Sequence, residues 1–229
     1  MSEPVPNLRD LGGLKNEQGQ TLLSQRLYRS ALPLANDLVA EQVLWPPDTV
    51  IDLRSEIEMI GHHPLTGSAR HIYNISLINE LAPDQKPPDS LPELYGMLLD
   101  TVPDRLGQVV GLVAESDGST LIHCAAGKDR TGIAVALVLR LLGVPRQLVI
   151  EDYLASNDNY DAIARRLSQS RRAYGGEIPS HFLGVPKEAI ELTLDRWDSH
   201  RFGVVGWARD AGVTPDTISL LSSRLLENR

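Results

Sequence analysis

The chain is 229 residues long, 42% hydrophobic and 23% charged, a composition that supports a sizeable buried core and excludes a disordered chain. A formal net charge of −8 without a basic tract argues against nucleic-acid binding through phosphate contacts, and no apolar run approaches the roughly 20 residues of a membrane-spanning helix. The single cysteine, Cys124, excludes an intramolecular disulfide and a multi-cysteine metal cluster. With a start, Met1-Ser2-Glu3-Pro4, that is neither basic nor apolar, it points to a soluble protein of a reducing, cytoplasmic compartment.

In chain order, Trp45-Pro46-Pro47-Asp48 reads as a turn entering the first buried strand, Thr49 to Leu53, and a second strand is expected over His71 to Leu77. The proline-rich stretch Pro83 to Asp89 reads as an exposed loop within a domain. Helical spacing follows over Leu91 to Leu99 and Leu106 to Ala114, then a strand over Thr120 to Cys124 and a helix over Ile133 to Leu142 that stops at Gly143 and Pro145. Strands alternating with helices predict an α/β fold with a central, mostly parallel sheet covered on both faces. The remainder is helical: Leu148 to Ser156, Tyr160 to Tyr174, Lys187 to His200, Val204 to Ala211 and Pro215 to Leu226, the last started by Thr214-Pro215. No repeat or linker divides the chain. One domain over 1–229 is expected, with an α/β body to about residue 157 and helices from about 158 onward.

The segment that carries chemistry is His123-Cys124-Ala125-Ala126-Gly127-Lys128-Asp129-Arg130-Thr131-Gly132, where an apolar strand ends and an apolar helix begins. A loop there can turn successive N–H groups inward, and the helix N-terminus adds partial positive charge. Five residues between Cys124 and Arg130 suit a ring closed by the guanidinium across from the sulfur, and Arg grips two phosphate oxygens at once where Lys cannot. Gly127 and Gly132 permit the tight turns such a cradle needs. Taken by itself Cys124 reads as a buried thiol at a strand end; the whole string reads as a nucleophile on the floor of an oxyanion cradle.

The string has the H-C-x5-R-[ST] form of the cysteine-based phosphatases and resembles a bacterial branch of atypical tyrosine and lipid phosphatases. Asn7 to Gly13, Leu27 to Ser30, Val50 to Ser55, Asp152 to Asn157 and the tail from Phe202 to Leu226 are similar to the same branch, so the resemblance spans nearly the whole chain. It implies the α/β phosphatase fold, no metal or cofactor, and phosphotyrosine proteins or phosphoinositides as partners in the sense of substrates. It also implies a helical lid from about residue 158, shortened here around Gly175-Gly176. Some members of the branch are exported without a signal sequence, which leaves that route open.

On this reading Cys124 attacks phosphorus and forms a phosphocysteine, while Arg130 and the backbone N–H groups of Ala125, Ala126, Gly127, Lys128, Asp129 and Arg130 bind the phosphoryl oxygens. His123 orients the loop or is simply a core histidine. Thr131 donates to the sulfur or caps the helix. Asp129 is the expected general acid, with bracing of the loop as its alternative, Asp84 and Asp89 in reserve, and Asp48 set aside as a turn residue. Lys128 is either a second cation for a multiply charged substrate or a solvent-facing charge. Arg165, Arg166, Arg171 and Arg172 are either headgroup contacts or a solvated helix face, and Arg9 and Arg54 read as structural supports. His62-His63 has no neighbouring ligand set at metal spacing, so no metal is assigned. Two other classes compete. A rhodanese-like sulfurtransferase is opposed by Arg130-Thr131 at the fixed spacing, and a dead phosphate-reading module by the presence of both Cys124 and Arg130. Nothing in the sequence fixes an oligomeric state.

Overall fold

A computed structural model describes residues 3–78, 88–174 and 182–227, with side chains from 169 to 174 left aside. Its five-stranded sheet has the order β1-β2-β5-β3-β4, formed by β1 (Arg9–Asp10), β2 (Leu27–Ser30), β3 (Thr49–Asp52), β4 (His71–Asn74) and β5 (Thr120–His123). All neighbours run parallel except β1, which pairs antiparallel with β2. The all-buried run Thr-Leu-Ile-His of β5 lies at the centre, because only a strand covered on both faces tolerates a continuous apolar stretch. The register sets Ser30 and Asp52 on either side of His123, so three strands end at the point where the motif begins.

The pleat sends Leu27, Ile51 and Ile122 to the face carrying the main core. That core is built from α1 (Leu91–Thr101), α2 (Pro103–Glu115), α3 (Asp129–Leu141), α4 (Arg146–Leu154), α6 (Lys187–Asp198), α7 (Gly203–Asp210) and α8 (Pro215–Leu225). α5 (Tyr160–Tyr174) lies apart from it, with Ile163 and Leu167 against Ala126. On the other face Tyr28, Val50 and Leu121 are covered by Leu8, Val43, Trp45, Leu65 and Ala69, which is coil where the alternation led one to expect helix. The expected start signal is realised where Thr214 Oγ1 accepts from Thr217 N at 3.1 Å at the head of α8, and Ser90 Oγ likewise accepts from Glu93 N at 3.3 Å at the head of α1.

Three boundaries differ from the sequence pattern. β4 stops at Asn74, and its exposed residues mark it as an edge strand. α3 begins at Asp129 rather than Ile133, because its first turn carries the polar Asp-Arg-Thr of the motif and so lacks the apolar periodicity that marks the rest. β1 and β2 have no strand signal of their own. They are two and four residues long, and β2 buries an arginine.

α2 approaches the turn between α7 and α8 closely enough that a Cβ on Gly107 would lie 2.1 Å from the Ala211 carbonyl oxygen. Gly107→Ala is therefore expected to lower the unfolding free energy by about 1–3 kcal/mol in urea denaturation, overpacking exceeding the helix-propensity gain of about 1 kcal/mol. A midpoint that rises would mean the turn gives way freely.

Candidate active site

Residues 124–128 form the loop between β5 and α3. Gly127 has φ +68, and a Cβ there would lie 2.2 Å from the carbonyl carbon and oxygen of Ser30, so glycine is required both by conformation and by space. The loop's carbonyls are bound to their surroundings. Ala125 O accepts from Leu32 N at 3.3 Å, Gly127 O from Asn7 Nδ2 at 2.7 Å and Arg29 Nη2 at 2.9 Å, and Lys128 O from Gly132 N at 2.7 Å. A trans peptide sets its N–H opposite its C=O, so each tethered carbonyl commits the following N–H to the other side. Gly127 N, whose peptide partner is the Ala126 carbonyl, donates to Cys124 Sγ at 3.2 Å.

Arg29 can hold that position because its own charge is answered. Its Nη1 donates to Asp152 Oδ2, and Arg9 Nε donates to Asp152 Oδ1 at 2.7 Å. Burial alone would raise the Asp152 carboxyl; Arg29 and Arg9 outweigh it and hold the group below the ordinary carboxylate value.

Arg130, in the first turn of α3, is 8% exposed and gripped bidentately by Glu58, Nη1 to Oε2 at 2.6 Å and Nη2 to Oε1 at 2.8 Å. Its Nη1 also reaches Leu53 O at 3.3 Å. Glu58 is held in turn by Ser55 N and Oγ, both at 2.9 Å. Burial disfavours the Glu58 anion, but Arg130 and Ser55 outweigh it and the carboxyl titrates below its ordinary value. Sequence reasoning missed Glu58. The Ser55-x-x-Glu58 pattern could have marked a capping box, though not the pairing with a residue 72 positions away.

Compared with known proteins, residues 2–227 match the profile of the tyrosine phosphatase family. The chain belongs to that family. A "putative tyrosine-protein phosphatase" of Cupriavidus necator is 32% identical over 226 residues, which cover 91% of this chain and 82% of that one. The triple specificity protein phosphatase PtpB of Mycobacterium tuberculosis is 33% identical over 134 residues, 53% of this chain and 48% of PtpB, so the match spans about half of that relative's length. Among solved structures P. aeruginosa TpbA aligns over 76% of this chain and 89% of that one at 21% identity with a TM-score of 0.35, too low for its shape to bear on the site.

Within this family fold the other motif residues take definite places. Cys124 is 2% exposed, and Ala125 and Ala126 are covered by Ile163 and Leu167 of α5 together with Leu183. Lys128 neither faces solvent nor reaches into the loop. It is 1% exposed and its Nζ donates to Asp129 Oδ1 at 2.8 Å, Phe182 O at 2.8 Å and Gly184 O at 2.9 Å. Asp129 Oδ1 also accepts from Tyr95 Oη at 2.9 Å, and Tyr95 Oη lies 2.9 Å from Tyr153 Oη. Among the described residues Thr131 Oγ1 is buried without a hydrogen-bond partner, so neither the bond to sulfur nor the cap is formed; Lys128 occupies the N-cap position.

The remaining candidates lie outside the loop. Asp48 Oδ2 accepts from Ser119 N at 2.9 Å in the turn before β3, as a turn residue should. Asp89 is exposed ahead of α1, and Asp84 lies outside the described residues. Arg54 binds Asp52, Nη2 to Oδ2 at 2.6 Å. Arg165 is exposed, but Arg166 is buried against Asp37 Oδ1 at 2.8 Å and Leu32 O at 2.6 Å and is no headgroup contact; Arg171, Arg172 and Gly175-Gly176 fall outside what is described. The absence of a ligand set near His62-His63 needs correction, because folding brings His63, His123 and Asp52 together with ligand atoms within 4.8 Å. The spacing of 60 residues between the two histidines concealed it.

Arg29→Met removes one charge from a buried set and leaves Asp152 against Arg9 alone, with an expected loss of about 3–5 kcal/mol in urea denaturation. The folded-state carboxyl is depressed, so its contribution is present above the ordinary carboxylate value and lost as pH falls through the folded one. The wild type should therefore lose stability in acid more steeply than Arg29→Met, as followed by thermal melts against pH.

Proposed function

We propose that the protein is a metal-independent phosphatase that hydrolyses phosphate monoesters through a phosphocysteine on Cys124. The observation that supports it most is the loop itself, in which the Gly127 amide donates to a cysteine faced by an arginine already oriented by Glu58. Arg130 has five N–H donors, and its contacts with Glu58 and Leu53 use three. The Nε–H and one Nη2 proton stay uncommitted among the described residues and suit two phosphoryl oxygens.

In the reaction the Cys124 thiolate attacks phosphorus in line and the P–O ester bond breaks, the leaving oxygen taking a proton from Asp129, which must enter the step protonated although it accepts from Lys128 and Tyr95. Water then attacks the phosphocysteine, the S–P bond breaks, and phosphate and thiolate are released. Arg130 and the loop amides carry the charge that spreads over the equatorial oxygens, where each well-placed donor is worth about 10²–10³ in rate. Because α5 covers Ala125 and Ala126 of the loop, that helix moves aside before an ester enters.

Phosphotyrosine proteins are the substrate class this geometry favours. Lys128 and Arg166, two of the cations that would have argued for a phosphoinositide headgroup, are both consumed by internal partners. Phosphate release from a phosphotyrosine peptide should exceed that from phosphoinositides, with Cys124→Ser inactive on both; faster turnover of the lipids would reverse the assignment. Asp129→Asn should slow phenyl phosphate, a poor leaving group, by about 10²–10⁴-fold and p-nitrophenyl phosphate far less. Equal losses on the two would make Asp129 a brace.

A further inference from the structure

The proposed chemistry makes no use of His63, yet this half-buried ring sits directly behind the cysteine. Its Nε2 lies 2.9 Å from His123 Nε2, its Nδ1 accepts from Leu65 N at 3.1 Å, and His123 Nδ1 lies 3.2 Å from Cys124 O. The ring centroids are 5.0 Å apart and tilted by 46°, an edge contact through nitrogen rather than a stack.

The order of donors follows from Leu65. A backbone N–H only donates, so His63 Nδ1 is bare, and a neutral ring then carries its proton on Nε2. That proton points at His123 Nε2, which must be bare in turn, and the His123 proton is left on Nδ1 facing the Cys124 carbonyl. We propose that His63 is a positioning residue that sets the tautomer of His123 and through it anchors the Cys124 carbonyl from behind the sheet.

The charged groups facing the pair agree with a neutral relay. Asp52 Oδ1 is 3.9 Å from His123 Nδ1, but that carboxylate is already taken by Arg54 through N at 3.0 Å, Nε at 3.0 Å and Nη2 at 2.6 Å. Burial disfavours a cation on His123, Asp52 favours one, and Arg54 and Arg130 oppose it. Burial, then His123, lowers His63 to about 4, and burial likewise lowers His123. A proton added to His63 would have to sit on Nδ1, donor against the Leu65 donor. The same geometry speaks against a metal at these residues. The gap between the two Nε2 atoms is filled by the shared proton, and the Asp52 oxygens already answer Arg54.

With six histidines in the chain, long-range ¹H–¹⁵N correlation spectra of the ring nitrogens resolve the tautomers in the full-length protein. The expected spectrum at pH 7 shows His63 protonated on Nε2 and His123 on Nδ1, both still neutral at pH 6. The reverse tautomer of His123, a cation on either ring at pH 6, or a stoichiometric shift of both rings on adding Zn²⁺ would overturn the proposal. His63→Phe should release His123 into a tautomer mixture and lower kcat on p-nitrophenyl phosphate about tenfold, whereas His63→Gln, which keeps a donor, should restore the Nδ1 tautomer and most of kcat. An unchanged His123 tautomer in His63→Phe would also overturn it, and should that variant fail to fold the wild-type spectrum and His63→Gln decide the matter. The tautomers are read without turnover, so they test the relay even if the assignment of Cys124 as nucleophile fails.

Discussion

The structure of the loop depends on one carbonyl. Gly127 O is held by two side-chain donors, from Asn7 and Arg29, and neither can move freely. Asn7 is itself buried at φ +60 and donates a second bond to Ser156 Oγ, while Arg29 is fully buried and paired with Asp152. A lone buried guanidinium would be prohibitively costly, so the position of Arg29 requires Asp152, and two cations around Asp152 in turn require the carboxylate to stay ionised. A loop that must present amides to an anion is thus fixed by charges that the anion never meets. The arrangement also explains why elements as short as β1 and β2 are kept at all: they place Arg9 and Arg29 side by side in register.

The cations around the loop are distributed by the same logic. Arg130 is matched by Glu58, Lys128 by Asp129 and two carbonyls, Arg166 by Asp37, and Arg54 by Asp52. A substrate phosphate therefore meets a site whose charges are oriented beforehand and whose net field is modest, with Arg130 strongly held as a cation because Glu58 outweighs its burial. Binding then depends on amides and on the spare edge of one guanidinium more than on long-range attraction, which suits a chain of net charge −8.

What the sequence made legible follows from how local each signal is. The β5–loop–α3 unit was readable because strand, glycines, cysteine and arginine all fall within one short stretch, and the helix ends were readable from Gly143 and Thr214. Asp48 was correctly set aside because the proline turn explained it locally. Glu58, Tyr95 and His63 were not legible, since each reaches the motif through tertiary contact from a segment whose own pattern is bland. Lys128 and Arg166 were misread for a related reason. A charged residue in a sequence is presumed to face solvent or ligand, and its burial against carbonyls of a distant segment is visible only when the chain is folded.

The pleat of β2 and β5 ties these contacts together. Alternation sends Arg29 to the helical face with Leu27 and sends His123 to the coil face with Leu121. The loop is consequently held from opposite faces of the sheet at its two ends, at Cys124 O through His123 and at Gly127 O through Arg29 and Asn7. A hinge would need one of these anchors to be missing. With both in place the loop is held independently of α5, which packs against its Ala126 from outside the main core. The coil covering Tyr28, Val50 and Leu121 is then more than a cap on the core. It is also the segment that brings His63 to the back of the strand leading into the cysteine.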